Sequence, residues 1–413
     1  MKLSQSKTYE AIKLFIAVLL SAAVTCVFFG QTLVPDGLYP SDTISHITLG
    51  IQGTGYGLET LFIHFISKFV HAPFLNLIFA CIQTVFVLLT WMISQKFIDK
   101  YFSVSKWTNL SISTGAVFLA TIYIPILFPY FYNYSLGTQP WHSSTQLSMK
   151  FGAVVFLYYF FDVYPTYYDG FSRKAWIHMA GWLMVTTMFK PNFLMTFCPA
   201  FGIILLRDYF QHRTKTERKT ILRFFSIVFP SIAVMVFQYF LLYIRGNPDS
   251  SSGVRFVFFS NLVWEGSVLH MVLKIAEAFA FPFLVCCIPS LLDKGRGVSG
   301  HTVAAGTVVN IRFSVLMYIS ALLIASLFAE TGSRAAHGNF GWGIYVAYYT
   351  LFLNIVPFFF QTVESYQERC RMKGERIAVL DVLIALCFIL LFWHLCSGLY
   401  YFIHIAYGGD YYI

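Results

Sequence analysis

Asp42 and His46 stand four residues apart in the stretch Pro40-Ser41-Asp42-Thr43-Ile44-Ser45-His46, a spacing that puts both on one face of a helical turn. A carboxylate beside an imidazole suits general-base work with an orienting partner, or one edge of a metal site. The same residues also suit a plainer purpose, because Ser41 or Asp42 can cap the turn that follows. A second dense stretch, Ala329 to Trp342, packs Glu330, Arg334, His337 and Asn339 with three glycines between two long apolar runs. Arg334 can hold phosphate oxygens bidentately, or pair with Glu330 one turn earlier. His337 and Asn339 can bind sugar hydroxyls or satisfy loop carbonyls. Between these stretches, Lys190-Pro191-Asn192 offers a point charge able to stabilise a leaving phosphate, or a lysine snorkelling from a short hairpin. Trp141 and His142, in Trp141-His142-Ser143-Ser144-Thr145, offer a surface for stacking a sugar or a place in an interfacial aromatic belt.

The elements that must position these residues are membrane helices. Hydrophobic residues make up 57% of the 413, charged ones only 11%, and apolar runs near twenty residues recur along the chain; this is the composition of a polytopic membrane protein, and it excludes a soluble enzyme. Seven of the eight cysteines fall in apolar segments, without a spacing that suits a metal or a disulfide framework. The first apolar run follows Lys2, Lys7 and Lys13 like a secretory signal, but its length and the spans after it predict a retained helix. The expected fold is all-α, a single transmembrane domain over 1–413. About eleven spans are predicted, near 12–29, 75–95, 109–131, 147–164, 175–189, 191–206, 222–244, 267–290, 313–329, 341–361 and 377–404.

Charge decides the orientation. With a cytoplasmic amino terminus, 21 of the 28 basic residues fall in inner segments, leaving Lys68, Lys150, Lys190, Arg245, Arg255, Lys274 and Arg334 outside. The net charge of +9 therefore reports membrane topology rather than a nucleic-acid partner. Every polar stretch described above then faces outward, in a long loop over 30–73 and in outer loops near 132–146, 245–266 and 330–342. Within the first loop, Leu58, Leu61, Phe62, Phe65, Ile66 and Phe69 recur at helical spacing while Glu59, His64, Lys68 and His71 fall on other faces. That pattern predicts an amphipathic helix on the membrane surface.

A first span, then a long outer loop with an early Asp42 and His46, then a surface helix, resembles the membrane glycosyltransferases of the GT-C fold class. Trp141-His142-Ser143-Ser144-Thr145, Lys190-Pro191-Asn192 and the Glu330 to Trp342 stretch are similar to motifs of uncharacterised bacterial proteins of that type, so the resemblance covers residues from about 36 to 342. It implies an inverting transfer of a sugar from a polyprenyl-phosphate donor to a hydroxyl acceptor on a glycan, lipid or protein, at the extracytoplasmic face of the plasma membrane. It also implies that Asp42 is the catalytic base, with His46 beside it. Arg334 and Lys190 are then expected to hold the donor phosphate, and Glu330, His337, Asn339, Trp141 and His142 to contact substrate. No cofactor is required; a divalent metal is compatible with Asp42, His46 and Glu330 if they converge. The competing expectations are a multi-pass transporter or lipid-linked sugar flippase, which would use Gln238, Lys274, Glu277, Asn354 or Asp381 inside the membrane, and a polysaccharide polymerase or ligase, which would want a larger late outer loop.

Overall fold

A computed structural model describes residues 2–33, 41–126, 136–137, 139–212, 214–245, 253–258, 268–294, 305–332, 339–374 and 376–409. The chain is a bundle of long helices. In order these are α1 (Lys2–Leu33), α2 (Thr43–Gln52), α3 (Leu58–Ser67), α4 (Ala72–Tyr101), α5 (Lys106–Val117), α6 (Ser144–Val163), α7 (Arg173–Phe189) and α8 (Asn192–Gln211). They continue with α9 (Lys215–Ile244), α10 (Val268–Lys294), α11 (Ala305–Leu327), α12 (Trp342–Lys373) and α13 (Ala378–Ala406). Among the described residues nine helical segments are long and apolar enough to cross a membrane, so the chain is an all-α polytopic membrane protein. Helices prevail because an apolar surrounding leaves each backbone N–H and C=O no partner but its own helix.

The core is layered. The span that contains α12 is 89% buried and that of α13 only 17%, which makes α12 the central post and α13 a peripheral helix. Phe160, Phe197, Phe201, Phe313 and Phe359 belong to one large aromatic core between α6, α8, α11 and α12. Leu14, Phe15 and Val18 of α1 and Val379, Ile389 and Phe392 of α13 are exposed, which suits hydrocarbon rather than water. The helices run alternately up and down. One end of the bundle therefore gathers the end of α1, the starts of α6, α8 and α12, and the ends of α7, α9, α11 and α13. The opposite end carries the ion pairs Lys100 with Asp162, Arg207 with Asp208 and His212 with Glu217.

One expectation needs correction. Of the eleven predicted spans, nine coincide with the nine long segments, and 175–189 coincides with α7, whose 17 residues lie at the lower limit for spanning. The predicted span 109–131 is not one helix. There α5 has 12 residues, about 18 Å of rise against a hydrocarbon layer of about 30 Å, and the chain from Phe118 to Ile126 is not helical. Its backbone is satisfied by α13 and by a neighbouring loop instead. His394 Nδ1 lies 2.7 Å from the Ala120 carbonyl, the Tyr123 N–H donates to Ser397 Oγ at 3.0 Å, and the Gln139 N–H donates to the Leu119 carbonyl at 3.1 Å. Gly398 makes room for this passage, for a Cβ there would lie 1.5 Å from the Phe118 carbonyl oxygen. Non-helical backbone of this kind is stable inside a membrane protein only where protein groups replace the missing helix bonds.

A helix does form in the predicted 58–69 stretch, as α3. Leu61, Phe62, Phe65 and Phe69 are exposed, while Glu59, Thr60 and Ile63 face the bundle. The side chain of Ile63 packs against Gly50 of α2, where a Cβ would come within 2.5 Å of it. His64 Nδ1 reaches the Gly50 carbonyl at 3.1 Å. These contacts lock α2 and α3 into one helical hairpin. Gly53 allows the turn between them, ending α2 with a left-handed φ of 69°.

Candidate functional site

Asp42 is the N-cap residue of α2, yet its carboxylate makes no capping bond. Its backbone is held instead: the Asp42 N–H donates to the His142 carbonyl at 3.0 Å, and the Asp42 carbonyl accepts the His46 N–H at 2.9 Å. Next along, the Thr43 hydroxyl donates to Gln31 Oε1 at 2.8 Å while Gln31 Nε2 donates to the Trp141 carbonyl at 2.9 Å. The end of α1 thus clamps the start of α2 against the 141–145 segment. His46 Nδ1 completes the junction at 2.8 Å from Ser144 Oγ, the first residue of α6.

Lys190 ends α7, its N–H bonded to the Thr186 carbonyl. It does not snorkel. The side chain is only 9% exposed; Nζ donates to Thr145 Oγ1 at 3.4 Å and sits 4.2 Å from the centre of the Trp342 ring. His142 packs on the same Trp342 ring, with centroids 5.7 Å apart, and its Nδ1 lies 3.0 Å from the Tyr401 hydroxyl. Asp42 and Lys190, remote in sequence, act on one imidazole. Burial pushes the His46 pKa down to about 4, the Asp42 carboxylate opposing and the Lys190 ammonium reinforcing that shift. At neutral pH His46 is therefore an uncharged base between a carboxylate and a cation.

A residue without an expected role joins this group. Glu59 of α3 is 4% exposed and accepts a hydrogen bond from Ser148 Oγ at 3.1 Å. Its other oxygen, Oε1, is buried with no hydrogen-bond partner among the described residues. Burial raises its pKa, opposed by the nearby Ser144, Ser148 and Gln83 side chains and by the charge of Lys190. The signal in the sequence was an acid alone on a helix of apolar residues, which a surface helix explains equally well.

The Glu330 to Trp342 stretch reaches the same end of the bundle by a second route. Strands β1 (Val254–Phe256) and β2 (Phe328–Glu330) pair antiparallel, Val254 opposite Glu330. Glu330 is buried; the Tyr243 hydroxyl donates to its Oε1, and Asn339 Nδ2 donates to its Oε2. Asn192 Nδ2 in turn donates to the Asn339 carbonyl. Asn192 follows Lys190 by two residues and Trp342 follows Asn339 by three, so both strands of this connection lead back to the Lys190 and Trp342 contact. Arg334 and His337 lie outside the described residues.

Trp141 takes a different place from the one expected. It is fully buried, its ring 4.8 Å from Phe402 and 6.0 Å from Phe118, so it is a core residue whose backbone, rather than its ring, serves the site. A converged metal set of Asp42, His46 and Glu330 does not form either: among the described residues no three His, Cys, Asp or Glu side chains are grouped to hold an ion. What is brought together is a carboxylate, a neutral imidazole, a second buried acid, a lysine on an indole face and a row of hydroxyls from Ser144, Thr145 and Ser148. Such a group can take a proton from a hydroxyl and stabilise an anion beside it. No protein-family model matches the chain, and no curated protein matches it.

Proposed function

We propose that the protein is a GT-C-like glycosyltransferase that moves a sugar from a polyprenyl-phosphate carrier to a hydroxyl acceptor at the outer face of the membrane. Asp42 accepts the acceptor proton as the acceptor oxygen bonds to the anomeric carbon. The bond from that carbon to the phosphate oxygen breaks, and the lipid phosphate leaves with the electron pair, its charge met by Lys190 and Arg334. Attack opposite the leaving group inverts the anomeric configuration. His46 holds the Asp42 turn to Ser144, and Glu330 and Asn339 shape the donor side.

The observation that carries this reading is that the Asp42–His46 turn and Lys190 reach adjacent residues of one helix start, His46 Nδ1 lying 2.8 Å from Ser144 Oγ and Lys190 Nζ donating to Thr145 Oγ1 at 3.4 Å. An acid and a cation at one site are what proton removal and phosphate departure need, and the sequence separates them by six helices. Asp42→Asn tests it. The variant should fold with wild-type thermal stability, because the carboxylate makes no capping bond, and should lose transfer from a polyprenyl-phosphate sugar; full activity would sink the mechanism.

A transporter is favoured by one observation, Glu277 of α10, whose Oε1 is buried without a hydrogen-bond partner among the described residues while Lys274 acts on it electrostatically. Flux of a lipid-linked sugar into liposomes separates the two readings, since an outer-face transferase moves nothing across.

A further inference from the structure

The end of the bundle opposite the candidate site carries a cationic face that no step of the proposed reaction uses. It is built from the starts of α7 and α9. The Trp176 indole N–H donates to Ser226 Oγ at 2.9 Å, and Arg223 Nη1 donates to the Phe171 carbonyl at 2.9 Å, so the first turns of the two helices lie side by side. On α7, Arg173 and Lys174 stand in the first turn, where Ser172 caps the helix and no acid is present. On α9, Thr214 and Glu217 form a reciprocal cap that fixes Lys215 as the first residue. With Arg218, Lys219 and Arg223 these make six cations among the described residues of the two helices. The acids there and in the connections 164–172 and 212–214 are Asp169 and Glu217, and Glu217 is already held by Thr214 and His212.

Three faces run along the first turns of α9. Ile221 and Phe224 are buried against the bundle, whereas Leu222 and Phe225 are exposed. Lys215, Lys219 and Arg223, each four residues from the next, are exposed too and occupy an arc of about 80° beside the exposed apolar one. An exposed apolar face on a spanning helix borders hydrocarbon, and α9 continues from it to Ile244. Lys219 and Arg223 flank Leu222 in the chain and lie within about 5 Å of it along the axis, inside a headgroup layer about 5–8 Å deep. The cations therefore stand where lipid phosphates stand. Their placement also opposes the electrostatics of their own helices: a positive charge in a first turn is disfavoured by the helix dipole, yet Arg173, Lys174 and Lys215 all occupy first turns. An anion in front of both helix starts offsets that cost.

We propose that this face binds the phosphates of anionic phospholipids in the leaflet around it. The exposed Leu222 and Phe225 commit the partner to a lipid, because a phospholipid meets them with its acyl chains and the cations with its phosphate, whereas a soluble acidic protein or a nucleic acid meets only the cations. Charge selects an anionic headgroup over a zwitterionic one, since a choline ammonium cancels its own phosphate while each lysine or arginine near an anionic surface adds attraction. The inference does not rest on the transferase reading, because no residue of the candidate site takes part.

The test uses the full chain in nanodiscs of phosphatidylcholine with a rising fraction of phosphatidylglycerol, and follows thermal unfolding. The wild-type midpoint should rise by a few degrees and saturate, and the rise should shrink in high salt, which screens exposed charges. A variant carrying Arg173→Gln, Lys174→Gln, Lys215→Gln and Lys219→Gln should match the wild type in pure phosphatidylcholine and lose most of the rise. A control carrying Lys7→Gln, Lys13→Gln, Lys96→Gln and Lys106→Gln removes as much charge from the same end of the bundle but from α1, α4 and α5, and should keep it. Equal wild-type midpoints with and without phosphatidylglycerol, a full rise in the patch variant, or an equal loss in the control would each overturn the proposal. Should the fourfold patch variant fail to accumulate, the single changes Lys174→Gln and Lys219→Gln replace it; each should lose part of the rise, and an undiminished rise in both overturns the proposal equally.

Discussion

Replacing Lys190 by Met keeps the aliphatic stem and removes the charge, and two roles for that charge differ in what they cost. As a structural group, Lys190 contributes a desolvated cation over the Trp342 ring at 4.2 Å and a long hydrogen bond to Thr145 at 3.4 Å. The first contributes up to about 2 kcal/mol and the second less than about 1 kcal/mol, offset in part because a buried charge is no longer desolvated. Loss of stability should therefore be about 1–2 kcal/mol, with turnover unchanged once the protein is folded. As the group that meets the leaving phosphate, Lys190 acts most strongly in the transition state, and its loss should lower kcat roughly 100- to 1,000-fold, about 2.7–4 kcal/mol. Turnover is measured as release of polyprenyl phosphate from a lipid-linked sugar in nanodiscs, alongside thermal unfolding of the same preparation. Lys190→Arg, which keeps the charge but spreads it over a planar fork, should recover part of the rate. A Met variant that is less stable but turns over at the wild-type rate would refute a phosphate role and leave Lys190 as a packing residue.

Gly398→Ala puts a Cβ 1.5 Å from the Phe118 carbonyl oxygen; neither backbone can yield cheaply, so the cost should exceed about 4 kcal/mol, and a normal yield of monodisperse protein would contradict the passage of 118–126 against α13. His46 gives a pH dependence with a definite sign. Its folded pKa of about 4 lies below the ordinary histidine value of 6.5, so between these values the unfolded chain binds the extra proton. Stability is complete above pH 6.5 and falls as the pH drops towards 4, by at most about 3 kcal/mol and by less than that because His46 is only half-buried. Unfolding midpoints at pH 7.5 and 5 should differ less in His46→Gln than in the wild type; equal differences would show that His46 is not the group responsible.

Some of this architecture was legible in the residues themselves. Length and continuity of apolar runs located nine long spans, because a membrane helix is specified by its own composition, but not their ends: the last-but-one runs to Met372 where 361 was expected. The polar stretches around Asp42, Trp141, Lys190 and Glu330 were recognisable for the same reason, polarity being rare in such a chain. The run 109–131 misled because hydrophobicity does not distinguish a helix from extended backbone; Pro125 and Pro129 were the available warning, and His394, Ser397 and Gly398 supplied the partners from the far end of the chain.

Burial and convergence belong to the tertiary structure. Sequence types alone made Trp141 a surface for sugars and Glu59 a polar residue on a surface helix, whereas packing buries the first against Phe402 and turns the second inward to Ser148. Nor can spacing tell that His46 and Lys190 reach the adjacent residues Ser144 and Thr145. Composition sets where each segment sits relative to the membrane, since that depends on transfer energies summed along one segment. Which side chains meet depends on how helices from across the chain rotate and pack, and no single segment carries that information. The carboxylate, imidazole and lysine of the candidate site come from α2 with its cap and from the end of α7, joined through the first turn of α6.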